Sequence, residues 1–236
     1  MTTKNSQRDI DIGCRARKLP FWLGRHGQLK YELIQKFVEV LPAYPEYNVD
    51  IQDTGTSDND KNVLNGYDWI RFLLRCRTVV GCLGGSGLMD PDGSIVVHVN
   101  RYCADHPDAS FEEVEQACFP GQDGKIHLCA LSPRHFECAV TKTCQILMEG
   151  DYGVFRPGIH YIELKKDYSN LNDVLKTIGD KAICEKIAQR CYDDIVNLSF
   201  PFSQNRNTYA WFANYITDYL VKRTNDDFNG GRPPPS

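Results

Sequence analysis

The sequence predicts an α/β fold: a Rossmann-like, mainly parallel sheet with helices on both faces. Two observations carry that prediction. Short apolar runs alternate with amphipathic segments of helical length along most of the 236 residues. The alternation breaks once, over residues 87–124, and then resumes, as an insertion into such a fold would make it do.

Taken in order, residues 1–8 are polar and read as a loose end, leaving one domain over residues 9–222. Residues 9–17 open with Ile10-Asp11-Ile12-Gly13-Cys14, a strand that runs into Arg15 and Arg17. Residues 28–40 carry Leu29, Leu33, Ile34, Phe37 and Val38 at helical spacing. Residues 48–51 read as a second strand and 67–75 as a helix rich in Trp69, Ile70, Phe72 and Leu73. Residues 78–83 read as a third, fully buried strand, cut off by Gly84-Gly85-Ser86-Gly87. Inside the insertion, Asp90-Pro91-Asp92-Gly93 is a turn and 94–99 a short apolar run. Ser110-Phe111-Glu112-Glu113 is a capping box that opens a helix. Then follow strand-like residues 125–131, a helix at 133–140, and strands at 143–148 and 160–164. Residues 171–178 and 180–197 read as helices, the second with Ile183, Ile187, Cys191 and Ile195 on one stripe. A last helix is expected at 209–221, and the Gly- and Pro-rich residues 226–236 as a disordered tail.

Composition narrows the function. A net charge of −4 argues against a general nucleic-acid binder. No apolar run approaches the roughly 20 residues of a membrane span. Ten cysteines occur without a C-x-x-C pair, and several sit in apolar runs (Cys82, Cys129, Cys144). The chain opens without an apolar signal segment, so free thiols and a cytoplasmic location are expected. The six histidines show no H-x-x-x-H pair, and Asp90 and Asp92 lack the remaining ligands of a calcium loop. No metal or other cofactor is expected. The chain has neither a phosphate loop of the NTPase kind nor a Gly-x-Ser-x-Gly elbow.

The chemistry concentrates in Ser132-Pro133-Arg134-His135-Phe136-Glu137. Ser132 is a polar helix start, and Arg134 and Glu137, three apart, share one face. A helix N-terminus favours anions, an arginine there can grip a diphosphate, and a carboxylate one turn on can accept from ribose hydroxyls. The same spacing also fits an exposed salt bridge. Arg15 and Arg17 after the first strand, and Gly85 and Ser86 after the third, fall at the same sheet edge, where parallel sheets bind ligands. They are equally open to a role as solvated charges and as a loop that ends a strand. The aromatic residues Tyr209, Trp211, Phe212 and Tyr215 read as core rather than a stacking platform.

These segments, together with Trp22-Leu23-Gly24-Arg25-His26-Gly27-Gln28-Leu29-Lys30, Glu149-Gly150-Asp151-Tyr152 and His160-Tyr161-Ile162-Glu163-Leu164-Lys165-Lys166-Asp167, carry a family likeness. Over residues 9–200 the chain resembles the C-terminal, donor-binding half of group 1 glycosyltransferases of the GT-B fold, in the branch of spore-coat-like and surface-polysaccharide enzymes. The resemblance implies sugar transfer from a nucleotide-sugar donor to a carbohydrate or lipid-linked acceptor. It implies Glu137 as the ribose anchor, with Arg134, Arg15, Arg17 and Lys30 as candidates for the diphosphate and Arg25 as a weaker one. His26 would face the cleft. It also implies retention of configuration and no obligatory metal, and it assigns no catalytic residue. Many relatives carry a glutamate eight positions before the ribose anchor, where this chain has Cys129, and a glycine after the helix, where it reads Thr141-Lys142-Thr143. The acceptor-binding half is then expected from a partner chain or a further N-terminal domain. The alternative is a catalytically silent donor-type domain that binds or regulates a partner glycosyltransferase.

Overall fold

In the computed structural model, residues 4–55 and 62–196 are described. Among them seven strands and seven α-helices follow one another: β1 (Ile10–Ala16), α1 (Gly24–Val40), β2 (Val49–Asp53), α2 (Tyr67–Arg75), β3 (Cys76–Gly81), β4 (Gly84–Ser86), α3 (Ser94–Asp105), α4 (Phe111–Cys118), β5 (Leu128–Ala130), α5 (Pro133–Val140), β6 (Cys144–Met148), β7 (Ile162–Leu164), α6 (Leu171–Gly179) and α7 (Lys181–Val196). Five strands form one sheet in the order β2-β1-β3-β6-β7. Every pairing in it is parallel. The remaining two, β4 and β5, make a separate antiparallel ribbon. The fold is therefore α/β and Rossmann-like. Among the described residues no helix is long and apolar enough to cross a membrane.

Alternation along the strands explains the layers. Ile12, Cys14, Val80, Cys144 and Ile146 point to one face and pack against Leu33, Ile34 and Phe37 of α1 and Val174, Leu175 and Ile178 of α6. On the other face Val79 meets Phe72 and Leu73 of α2 and Cys138 of α5. Gly13 also faces α2. A Cβ there would lie 2.8 Å from the Phe72 ring, so its missing side chain lets α2 close on the sheet. The α7 helix serves both layers, with Cys184 and Ala188 in the first core and Cys191 and Ile195 against α5.

Several expectations change. Residues 4–8 are ordered: Asn5–Gln7 form a 3-10 turn, and Asn5 and Arg8 are buried. Their polar side chains reach carbonyl groups that helix and strand ends leave free. The Asn5 amide donates to the Arg77 and Lys142 carbonyls (2.8 and 3.0 Å). The Arg8 guanidinium donates to the Leu73 and Cys76 carbonyls and to Thr143 Oγ1 (3.1, 2.9 and 2.8 Å), and also to the Thr141 carbonyl. The apolar run at 94–99 is the start of α3. The Asp90 carboxylate accepts from the amides of Ile95 and Val96 (3.2 and 2.8 Å), so capping overrides the β-branched composition. The buried stripe of α7 begins at Cys184 rather than Ile183, which is exposed. Cys129 is exposed on β5, whereas Cys144 is buried; all ten cysteines are free thiols. The segments 209–221 and 226–236, and the end of the expected 9–222 domain, lie outside the described residues.

Candidate functional site

The strand order reverses direction at β1, which has β2 on one side and β3 on the other. In open parallel sheets the crevice at such a switch point, beyond the carboxyl ends of the strands, is where ligands sit. Here the crevice lies past Ala16 and Gly81. The helices α1 and α5 begin at this edge because each returns the chain to the start of a parallel strand.

Three cavities run side by side along the edge. An inner one of about 100 Å³ is bordered by His26, Lys30, the end of β3, Gly84, Gly85, Ser132, Arg134, His135 and Gln145. A basin of about 310 Å³ is bordered by Arg15, Arg17, Lys30, Arg134, Thr54, Leu64, Asn65 and Trp69. An outer one of about 260 Å³ lies between Asn65, Trp69, Ser132, Arg134 and Glu137. Arg134 borders all three, and Lys30 borders the first two.

The local sequence holds these groups in place. Ser132 caps α5 by accepting from the Arg134 amide (3.3 Å), and Pro133 fixes the first turn. Arg134 and Glu137 form no ion pair with each other among the described residues; both are held by Trp69. The Trp69 indole donates to Glu137 Oε2 (2.7 Å), and the Arg134 guanidinium lies 4.4 Å above the same ring. Arg134 also donates to the Arg15 carbonyl (3.0 Å). One Glu137 oxygen is thus left without a partner among the described residues.

Lys30 has no hydrogen bond or ion pair among the described residues. By exposed area it is half-buried, yet protein crowds its ammonium on most sides. Burial first, and then the Arg134 charge, push its pKa down to about 8. Of the other candidate cations, Arg15 is committed. Its guanidinium pairs with Asp50 (3.0 Å) and lies 4.2 Å over the Phe72 ring, so it borders the basin as part of its wall. Arg17 borders the basin and is half-buried. Arg25 is tied into the insertion instead: it pairs with Glu32 (2.9 Å) and Glu112 and stacks on Phe111.

Of the glycine run, Gly84 and Gly85 border the inner cavity. The ribbon alone requires Gly85 to be glycine: its φ is +143°, and a Cβ would stand 1.8 Å from the Leu128 carbonyl oxygen. Ser86 borders none of the three cavities; its hydroxyl is engaged with Leu23 and Leu88. The connection after α5 takes the left-handed turn that suits glycine, with Lys142 at φ 53°.

Sequence reasoning missed two contributors. Trp69 sits on the apolar face of α2, and nothing in its spacing shows that its indole nitrogen reaches Glu137. His135 stood inside the motif with no role, although a buried histidine between an arginine and a glutamate was the available signal. Among the described residues no group of three or more His, Cys, Asp or Glu side chains converges as a metal site would require. No protein-family model matches the chain, and no curated protein is similar to it.

Proposed function

We propose that this chain binds the nucleotide-sugar donor of a glycosyltransferase and serves sugar transfer to a carbohydrate or lipid-linked acceptor. The observation that carries this reading is the basin. Arg15, Arg17, Lys30 and Arg134 border it, and among the described residues no carboxylate does, in a chain of net charge −4. Lys30 and Arg134 lack carboxylate partners among the described residues, and a diphosphate supplies the missing charge. The N-terminal end of α5 adds its dipole. On the outer side the free Glu137 oxygen can accept from ribose hydroxyls. During transfer the leaving diphosphate gains charge as the sugar–oxygen bond breaks, and preorganised cations stabilise that charge. The acceptor side would come from a partner chain or a further domain. Ten free thiols fit the reducing cytoplasm.

A second reading, a catalytically silent domain that serves a partner transferase, draws on one observation. Among the described residues no carboxylate borders the inner cavity, and the position eight before Glu137, where many relatives carry one, is Cys129, exposed on β5. Calorimetric titration with UDP, GDP, ADP and TDP and their sugars tests the donor reading. One nucleotide series binding in the micromolar range is expected. No binding by any of them to folded protein rejects the donor reading. Binding without slow hydrolysis of any sugar nucleotide favours the silent one.

A further inference from the structure

The inner cavity holds polar groups that the protein leaves unsatisfied. His135 is 3 % exposed. Gln145 fixes its tautomer. The Gln145 amide nitrogen donates to the His135 carbonyl (3.3 Å), so the Gln145 oxygen is what meets His135 Nδ1, at 2.9 Å. Nδ1 therefore carries the proton, and Nε2 presents a lone pair. That Nε2 is buried and has no partner among the described residues, and the same is true of His26 Nε2. Both histidines border the inner cavity beside the Lys30 ammonium, and the rest of its wall is largely apolar, with Leu19, Val79, Val80 and Leu147. Leaving a buried polar atom unmade is costly, and His135 Nε2, fixed as an acceptor, is one that a ligand's donor would relieve.

We propose that the inner cavity seats the sugar carried on the diphosphate, with His135 Nε2 accepting a hydrogen bond from one of its hydroxyls. This deepens the donor reading and rests on it. A phosphate oxygen cannot serve His135, because both atoms are acceptors; a hydroxyl can. Protonating the ring would reverse that, but burial pushes its pKa down to about 4, so the imidazole is neutral near pH 7. Order along the ligand agrees. Ribose, diphosphate and sugar follow one another, and Glu137, the cations and His135 border the outer cavity, the basin and the inner cavity in the same sequence. His135 is thereby a specificity-determining residue, which separates a sugar nucleotide from the bare diphosphate.

The test compares His135→Asn with His135→Gln. Asparagine can keep the bond to Gln145 and removes the acceptor from the cavity; glutamine returns an acceptor near the Nε2 position. UDP, GDP, ADP and TDP are titrated beside their sugar nucleotides. His135→Asn is expected to weaken the sugar nucleotide about three- to tenfold and leave the diphosphate unchanged, with His135→Gln recovering part of the loss. Equal weakening of both ligands, or of neither, overturns the sugar assignment while the donor reading stands. Binding of no diphosphate and no sugar nucleotide to the wild type overturns both. Should both variants unfold, the imidazole ¹⁵N resonance of wild-type His135 Nε2 decides. It moves on adding sugar nucleotide and not on adding diphosphate if the proposal holds; a resonance indifferent to the sugar rejects it.

Discussion

Replacing Lys30 with methionine should stabilise the protein and weaken anion binding together. Methionine keeps the aliphatic stem and removes only the ammonium. In the folded chain the Lys30 pKa falls from an ordinary 10.5 to about 8 through burial, with Arg134 adding to it. That displacement corresponds to about 3 kcal/mol of destabilisation, an upper figure because the side chain keeps some contact with water. The folded pKa lies below the unfolded one, so the unfolded state binds more protons between about pH 8 and 10.5. The penalty is complete below pH 8 and fades as pH rises toward 10.5. Lys30→Met should therefore melt several degrees higher than wild type at pH 7, and the gap should shrink to a fraction of that by pH 10. A bound diphosphate reverses the balance by pairing the ammonium. The same variant should bind UDP, or whichever nucleotide the wild type takes, about ten- to a hundredfold more weakly. Thermal melts across pH 7–10 and calorimetry at pH 7 read both quantities. A variant that melts lower than wild type at pH 7, or binds the nucleotide equally well, refutes the picture of an unpaired cation waiting for an anion.

Glu137→Gln should weaken nucleotide binding tenfold or more, since it removes charge-assisted bonds, while changing stability by under about 1 kcal/mol; unchanged affinity by calorimetry rejects Glu137 as the ribose anchor. Arg8→Met should cost about 2–4 kcal/mol in urea unfolding without touching nucleotide affinity, because it strands buried carbonyls at the opposite edge of the sheet. At Asp194, burial pushes the carboxyl pKa up, but His160 (3.0 Å) and Arg190 (2.8 Å) outweigh it and hold the group below the usual range. Its contribution is present above about pH 4 and lost as pH falls through the lowered value, so Asp194→Asn should flatten the acid limb of the stability profile.

Legibility followed the range of the interaction. The helices α2 and α5 match their expected bounds because local caps and apolar spacing fix them: Ser132 and Pro133 start α5, and Trp69, Ile70, Phe72 and Leu73 define the buried face of α2. The parallel sheet was readable from alternation alone. Long-range polar contacts were not. Arg8 and Asn5 look like a loose polar end until the carbonyls of Leu73, Arg77, Thr141 and Lys142 are brought around them. The same holds at the site. Arg134 and Glu137 were visible as a pair three apart, but spacing cannot distinguish a surface ion pair from two groups held separately by an indole from α2. Ser86 and Arg25 show the converse. Each sits in a suggestive loop, and the fold spends each on holding the insertion and the start of α1.

One helical turn then accounts for most of the site. Ser132, Arg134, His135 and Glu137 fall within six residues, and a rotation of about 100° per residue sends successive side chains in different directions. Arg134 meets all three cavities, His135 only the inner one and Glu137 only the outer one. Under the proposed reading, a donor that spans them would lie across the start of α5, with its charge at the positive end of the helix dipole. On that reading, position 135 is the place where sugar preference could change without disturbing the diphosphate grip. His135 is braced by Gln145 from β6 and by the edges of Tyr152 and Phe155 (ring centroids 5.2 and 6.1 Å), none of which borders the basin. If the donor reading holds, selectivity for the sugar and affinity for the nucleotide depend on side chains that point apart, and substitutions at one should leave the other measurable.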